Sequence, residues 1–249
     1  MLKLGRVLTL LALGGGLFAS NVSAETIDFF DVQPGTILSN VFGDGGSGPI
    51  GVFGLNPDFP PNINAAVVFD SSAPTGSDVD LGTPHTDFGG PGVGLGGRSV
   101  SAFPNDTSLG NILIVAEDLI DENNDDLVDD PDDANLVGAR LSFDFSAVAP
   151  ATIHGITIID VEAVEPGATL QLFDQLDNLL TTVILPPVGD NGVAHLVFGP
   201  VDGVYRMDIN LNGSAAIDNI LFTPVPEPAT AGLLIIGGLL CVSRRRSAR

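Results

Sequence analysis

Between residues 25 and 223 the apolar residues recur with a period of two, in short runs broken by turn residues. Leu141, Phe143 and Phe145 fall on one side of their segment, with Ser142 and Asp144 on the other. Tyr205, Met207, Ile209 and Leu211 alternate in the same way with Arg206, Asp208 and Asn210. This is the pattern of a strand with one face in a core. No long stretch shows a helical period framed by caps. The predicted strands are 26–31, 65–70, 112–116, 139–145, 153–161, 168–173, 179–185, 193–198, 204–211 and 215–222. Asn212-Gly213 is a strong two-residue hairpin signal between the last two, and Asp177-Asn178 a weaker one. Many short strands with close turns predict an all-β fold, an antiparallel β-sandwich or jelly roll. Residues 139–222 are dense in strands. Residues 41–111 are rich in Gly, Pro, Ser and Asp and read as long loops around one or two strands.

The two ends read as targeting segments. Lys3 and Arg6 precede an apolar run from Val7 to Ala19, and Val22-Ser23-Ala24 supplies small residues at the first and last places. That order predicts a signal peptide over residues 1–24, cut after Ala24. At the other end Pro226-Glu227-Pro228 precedes an apolar stretch of 14 residues, Ala229 to Val242, and then Arg244-Arg245-Arg246. A stable spanning helix needs roughly 17–25 residues. This one is predicted as a single short apolar helix, held weakly in a membrane with its arginines on the cytoplasmic side. Residues 25–223 are then the outer domain and 224–249 a tail. That length suits one sandwich or barrel with a sizeable core.

Pro226-Glu227-Pro228, the apolar segment and the arginine cluster together resemble a PEP-CTERM sorting signal. The resemblance implies recognition by an exosortase, a membrane-embedded transpeptidase-like enzyme. It implies transient anchoring in the inner membrane of a Gram-negative bacterium, then release to the cell surface or the exopolysaccharide matrix. Residues 168–178 and 214–222 are also similar to the strand–turn–strand segments of galactose-binding-like jelly rolls. That similarity implies a fold and a carbohydrate-binding ancestry. By analogy with that fold, Asp28 and Asp218, near the first and last strands, are where a structural calcium would sit.

Charge narrows the partners. The chain carries a net charge of −22, and residues 25–223 hold 30 acids against the three arginines Arg98, Arg140 and Arg206. Such a domain repels nucleic acid and attracts cations. The one cysteine, Cys241, lies in the tail, so no internal disulfide is possible. Metal ions are the natural substitute.

Ten of the 17 residues from Glu117 to Asp133 are acidic and none is basic. Within them Asp121, Asn123, Asp125, Asp129 and Asp132 stand at positions 1, 3, 5, 9 and 12 of a loop. Leu127 is at position 7, where a backbone carbonyl serves, and Val128 is an apolar anchor. The spacing resembles an EF-hand-like or repeat-type calcium loop, because calcium takes six to eight hard oxygens. Asp126 stands where glycine is usual, Asp132 is shorter than the usual Glu, and no helix flanks the loop. The alternative is a solvated acidic loop. A second possible cation or ligand site is Asp70 with Asp78 and Asp80, on a turn-rich segment.

No nucleophile elbow, phosphate loop or zinc spacing is visible. His85, His154 and His195 read as strand or surface residues. The predicted function is therefore non-enzymatic: an exported surface or matrix protein whose calcium-stabilised sandwich is structural or adhesive. The alternative is a calcium-dependent exopolysaccharide-binding module, and a glycoside-acting enzyme comes third.

Overall fold

The structure, a computed structural model, describes residues 23–75, 78–163 and 167–225. The predicted leader up to Val22, Pro226-Glu227-Pro228 and the rest of the tail lie outside the described residues. No helix among the described residues is long and apolar enough to cross a membrane.

Two antiparallel sheets pack face to face, as the period of two predicts. The first holds β1 (Glu25–Ile27), β4 (Ala66–Asp70), β5 (Asn111–Val115), β7 (Ala151–Ile159), β10 (Val193–Val204) and β12 (Ala216–Pro224). Its order is β10-β7-β12-β5-β4. β12 pairs along one side with β7, and its other side is shared between β5 and β1. The second sheet holds β2 (Asn40–Val41), β3 (Ile50–Leu55), β6 (Ala139–Asp144), β8 (Thr169–Phe173), β9 (Leu179–Ile184) and β11 (Arg206–Leu211). Its order is β2-β3-β6-β11-β8-β9. β2 and β3 carry no sequence signal that the loop-like composition of residues 41–111 lets through.

Between the sheets the alternating residues interdigitate. Leu141, Phe143, Met207 and Ile209 enter from one sheet, and Ile153, Ile158, Ile217 and Phe222 from the other; all are buried. Phe145 and Phe222 meet across the layer with ring centroids 5.6 Å apart. Each such side chain contributes about 1.5–3 kcal/mol relative to exposure.

The strands of the first sheet break the alternation, for a reason. β4 and β5 are almost continuously apolar because both of their faces are buried. Val68 and Leu113 face the sandwich core. Val67, Phe69, Ile112 and Ile114 form a second cluster on the outer face. The long loops 71–110 and 117–134 cover that face, contributing Leu81 and Val128 to the cluster. The glycine- and acid-rich segments are thus pinned down by a few apolar anchors.

One predicted turn fails. Asn212-Gly213 does not close a hairpin, because β11 and β12 belong to different sheets. Asn212 instead donates through its side chain to the Gly167 carbonyl and accepts from the Gly138 amide. The chain then passes over to the first sheet. The weaker signal holds: β8 and β9 are antiparallel neighbours, and Asp177 takes a left-handed φ of 59° in their turn.

Candidate metal centre

The crossover after Asn212 delivers Ser214 and Ala215 onto a group of buried carboxylates. The Ala215 amide donates to Asp133 Oδ2 at 2.7 Å, and Ser214 Oγ donates to Asp160 Oδ2 at 2.8 Å. Asp133 ends the acidic loop, where it forms a bridge with Ala116 that prolongs β5. Asp160 follows β7 with a left-handed φ of 64°, which turns its carboxylate back towards the neighbouring turn. It accepts from the Asn191 amide at 2.6 Å. Asp78 and Asp80 lie at a short 3-10 turn, Val79–Leu81, whose Leu81 is buried in the second apolar cluster. Asp78 Oδ2 accepts from the Asp133 amide at 2.7 Å. Asp190 sits in the turn before β10, and the Gly96 amide donates to its carbonyl.

These segments bring six carboxylates together in two groups of three. Asp78, Asp132 and Asp133 form one and Asp80, Asp160 and Asp190 the other. In each group the oxygens lie within 4.8 Å of one another. Asp78, Asp133 and Asp160 are buried. No arginine makes an ion pair with any of the six among the described residues. Arg98 pairs with Asp87, and Arg206 with Asp177 and Asp208.

Uncompensated burial has an electrostatic consequence. Desolvation raises the Asp160 pKa to about 9, with the Asp80 and Asp133 charges adding to it. Burial likewise pushes Asp78 and Asp133 well above the usual carboxylate range, with neighbouring carboxylates adding to the shift. Asp80 is raised by burial and then by Asp190. Its Oδ1 is closed off from solvent and has no hydrogen-bond partner among the described residues. Such a cluster is relieved in two ways: by taking up protons, or by taking up a cation. Three carboxylates per group, with backbone carbonyls and water to complete the shell, are the hard-oxygen donors of a divalent ion.

The candidates read from sequence divide. Asp78, Asp80 and Asp132 lie in the two carboxylate groups. Asp70 does not; its Oδ1 accepts from the Ser72 amide and hydroxyl. Asp121, Asn123, Asp125 and Asp129 lie in the loop before the cluster, and their side chains make hydrogen bonds within that loop. Asp121 accepts from the Asp125 and Asp126 amides, Asp125 from Leu127, and Asp129 from Glu122 and from the Asn123 side chain. Asp126 supplies the sharp turn with φ 67° in place of glycine. Val128 anchors the loop through its buried side chain and the hydrogen bond its backbone amide donates to the Gly35 carbonyl. Asp133, Asp160 and Asp190 were not singled out from sequence. Asp133 falls one residue beyond the twelve-residue frame. Asp160 carried one signal, an acid between the apolar pair Ile158-Ile159 and Val161.

Each histidine has one ring nitrogen engaged. His85 Nδ1 accepts from the Asp87 amide, His154 Nε2 bonds Thr223 Oγ1, and His195 Nδ1 bonds Thr157 Oγ1. Asp218 is a separate buried acid. Burial raises its pKa to about 7, and the Asp28 carboxylate adds to the shift.

No family model and no curated protein matches the chain. Among solved structures it is similar to the enzymatically active domain of bacteriophage CBA120 tailspike protein 4, at 11% identity and a TM-score of 0.28. The match covers 71% of this chain and 19% of that one, so the chain spans about a fifth of the tailspike domain. The expectation that the outer domain is not an enzyme is withdrawn; that neighbour is itself an enzymatically active domain. At that TM-score the likeness assigns no reaction to this chain. Carboxylates that hold protons near neutrality, such as Asp160, are chemically suited to acid–base work as well as to metal binding.

Proposed function

We propose that the chain is an exported surface or matrix protein whose β-sandwich is locked by divalent cations, calcium foremost, held by Asp78, Asp132 and Asp133 and by Asp80, Asp160 and Asp190. The observation that carries this reading is the gathering of two carboxylate triads, with Asp78, Asp133 and Asp160 buried, and no basic partner among the described residues. Calcium is favoured over magnesium because it accepts irregular all-oxygen cages and sheds its water readily. The ions would fasten three separate segments to the end of β7: the 3-10 turn, the end of the acidic loop and the turn before β10. The crossover after β11 is held by its hydrogen bonds to Asp133 and Asp160. They would take the part that disulfides play in other exported domains. Export and release follow from the resemblance of the tail to a PEP-CTERM signal, with an exosortase as the processing partner.

Thermal unfolding of the whole protein, with calcium and with chelator, tests the cation reading. Linkage gives about 3 kcal/mol of stabilisation at a hundredfold excess over the dissociation constant. An unchanged melting temperature refutes it. For the sorting route, replacement of Pro226-Glu227-Pro228 by alanines is expected to leave the protein in the membrane fraction of its own host. Normal release of that variant refutes the route.

A further inference from the structure

The two sheets differ in what their outer faces carry. Loops bury the outer face of the first sheet under the second apolar cluster. On the second sheet the central strands turn outward a set of polar side chains arranged by register. Arg140, Asn210 and Thr169 stand side by side across β6, β11 and β8, and Ser142, Asp208 and Gln171 form the adjacent row. Neighbouring strands are about 4.8 Å apart and the rows about 6.7 Å apart. All six are partly exposed except Asp208, which lies 3% exposed beside Arg206. Arg206 stacks on the Phe173 ring at 4.0 Å and pairs with Asp208 Oδ2.

Three features of this face call for a ligand. Two of the three arginines between residues 25 and 223 stand here, in a domain of 30 acids. Arg140 makes no ion pair among the described residues, and its Nε is closed off from solvent without a partner. Asp208 Oδ1, on a side chain more than nine-tenths buried, also lacks a partner. An unsatisfied buried polar group is destabilising, more so when charged, unless something bonds it. Meanwhile Asn210 Nδ2 is held by Thr169 Oγ1 at 3.3 Å and Gln171 Oε1 at 3.2 Å, so the planar groups are set in place.

The occupant follows from what the face offers. β6 and β11 are paired on both sides. An incoming peptide therefore finds no free backbone groups to extend the sheet. Recognition must run through side-chain tips: a guanidinium fork, a carboxylate oxygen, amides and hydroxyls. A fork without a carboxylate partner matches an anion of planar geometry, and the remaining groups match hydroxyls that both donate and accept. We propose that this face binds an acidic polysaccharide strand. A uronate carboxylate would sit on Arg140, and ring hydroxyls on Asn210 and Gln171. The site makes no use of the six aspartates of the cation reading and stands apart from it.

Calorimetric titration of the whole protein tests this, with calcium constant and about 150 mM salt to screen the general negative field. The probes are a glucuronic acid hexamer and a glucose hexamer. The acidic hexamer is expected to bind, and the neutral one at least tenfold more weakly. Arg140→Ala is expected to cost about tenfold or more, the loss of one charged fork contact. Arg140→Lys, which keeps charge but not the fork, and Asn210→Ala should each weaken binding with the melting temperature unchanged. Failure of the acidic hexamer to bind overturns the proposal. So does equal binding of the neutral hexamer, or full affinity in a folded Arg140→Ala protein. A protein that binds the hexamer but ignores calcium sinks only the cation reading, and one that takes calcium but not the hexamer sinks only this proposal.

Discussion

Asp160→Asn should change the sign of its effect on stability according to whether a divalent cation is present. In the metal-free fold Asp160 titrates at about 9, against 3.8 for an unperturbed Asp, because it is buried beside other acids. Below pH 4 both folded and unfolded states hold the proton, and the burial costs nothing. As pH rises, the unfolded state ionises first, and stability is lost progressively until the folded state ionises near pH 9. At pH 7 the loss is about 1.4 kcal/mol for each of roughly three pH units, or about 4 kcal/mol. Asparagine has the same shape and no proton to lose. It keeps an acceptor for the Asn191 amide, now bonded at 2.6 Å, but must rearrange at Ser214 Oγ, for about 1 kcal/mol. A net gain of about 3 kcal/mol remains in chelator, or roughly 6–12 °C in melting temperature for a domain of this size. With saturating calcium the same change removes a ligand and should lower the melting temperature below that of the unaltered protein. The assay is differential scanning calorimetry of both proteins at pH 7, with chelator and with calcium. A pH series in chelator should show the melting temperature of the unaltered protein falling from pH 4 to 9, more steeply than that of the variant. If Asp160→Asn destabilises equally in both conditions, the aspartate is a structural hydrogen-bonding residue, and the electrostatic argument fails.

Other expectations are simpler. Asp132→Ala should reduce the calcium-dependent shift in melting temperature. Asp121→Ala, which frees the Asp125 and Asp126 amides, should cost about 1 kcal/mol whether or not calcium is present. Phe143→Ala, in the middle of the sandwich core, should cost about 3–5 kcal/mol by chemical denaturation. Gly54→Ala places a methyl 2.3 Å from the Ala66 amide nitrogen, against backbone that cannot yield. It should cost about 1–3 kcal/mol or more.

The strand pattern made the sandwich legible because side-chain period and burial are local properties: each alternating segment had to lie with one face in a core. That reasoning located the centres of ten strands. It missed β2 and β3, where Gly51 and Gly54 interrupt the apolar signal, and Gly54 is demanded by the close approach of Ala65 and Ala66. Asn212-Gly213 reads as a hairpin in any isolated peptide. In the protein the better bonds lie elsewhere, in Gly138, Gly167 and the carboxylates that hold Ser214 and Ala215. Local turn preference is worth little against several tertiary hydrogen bonds.

The acidic character of residues 25–223, the absence of disulfides and the attraction to cations are set by the sequence alone, since they depend only on counting charges and cysteines. Asp78 and Asp80 were also legible, as acids on a turn-rich segment, and Asp132 as the last position of the acidic loop. What only the tertiary structure decided is which acids meet. Asp133, Asp160 and Asp190 join them from the end of a loop, the end of a strand and a distant turn. No spacing along the chain encodes that meeting, because it is made by strand pairing and by apolar anchors such as Leu81 and Val128. The same holds for burial. A carboxylate in a loop is an ordinary solvated charge until packing removes its water, and that step turns an acidic stretch into a site.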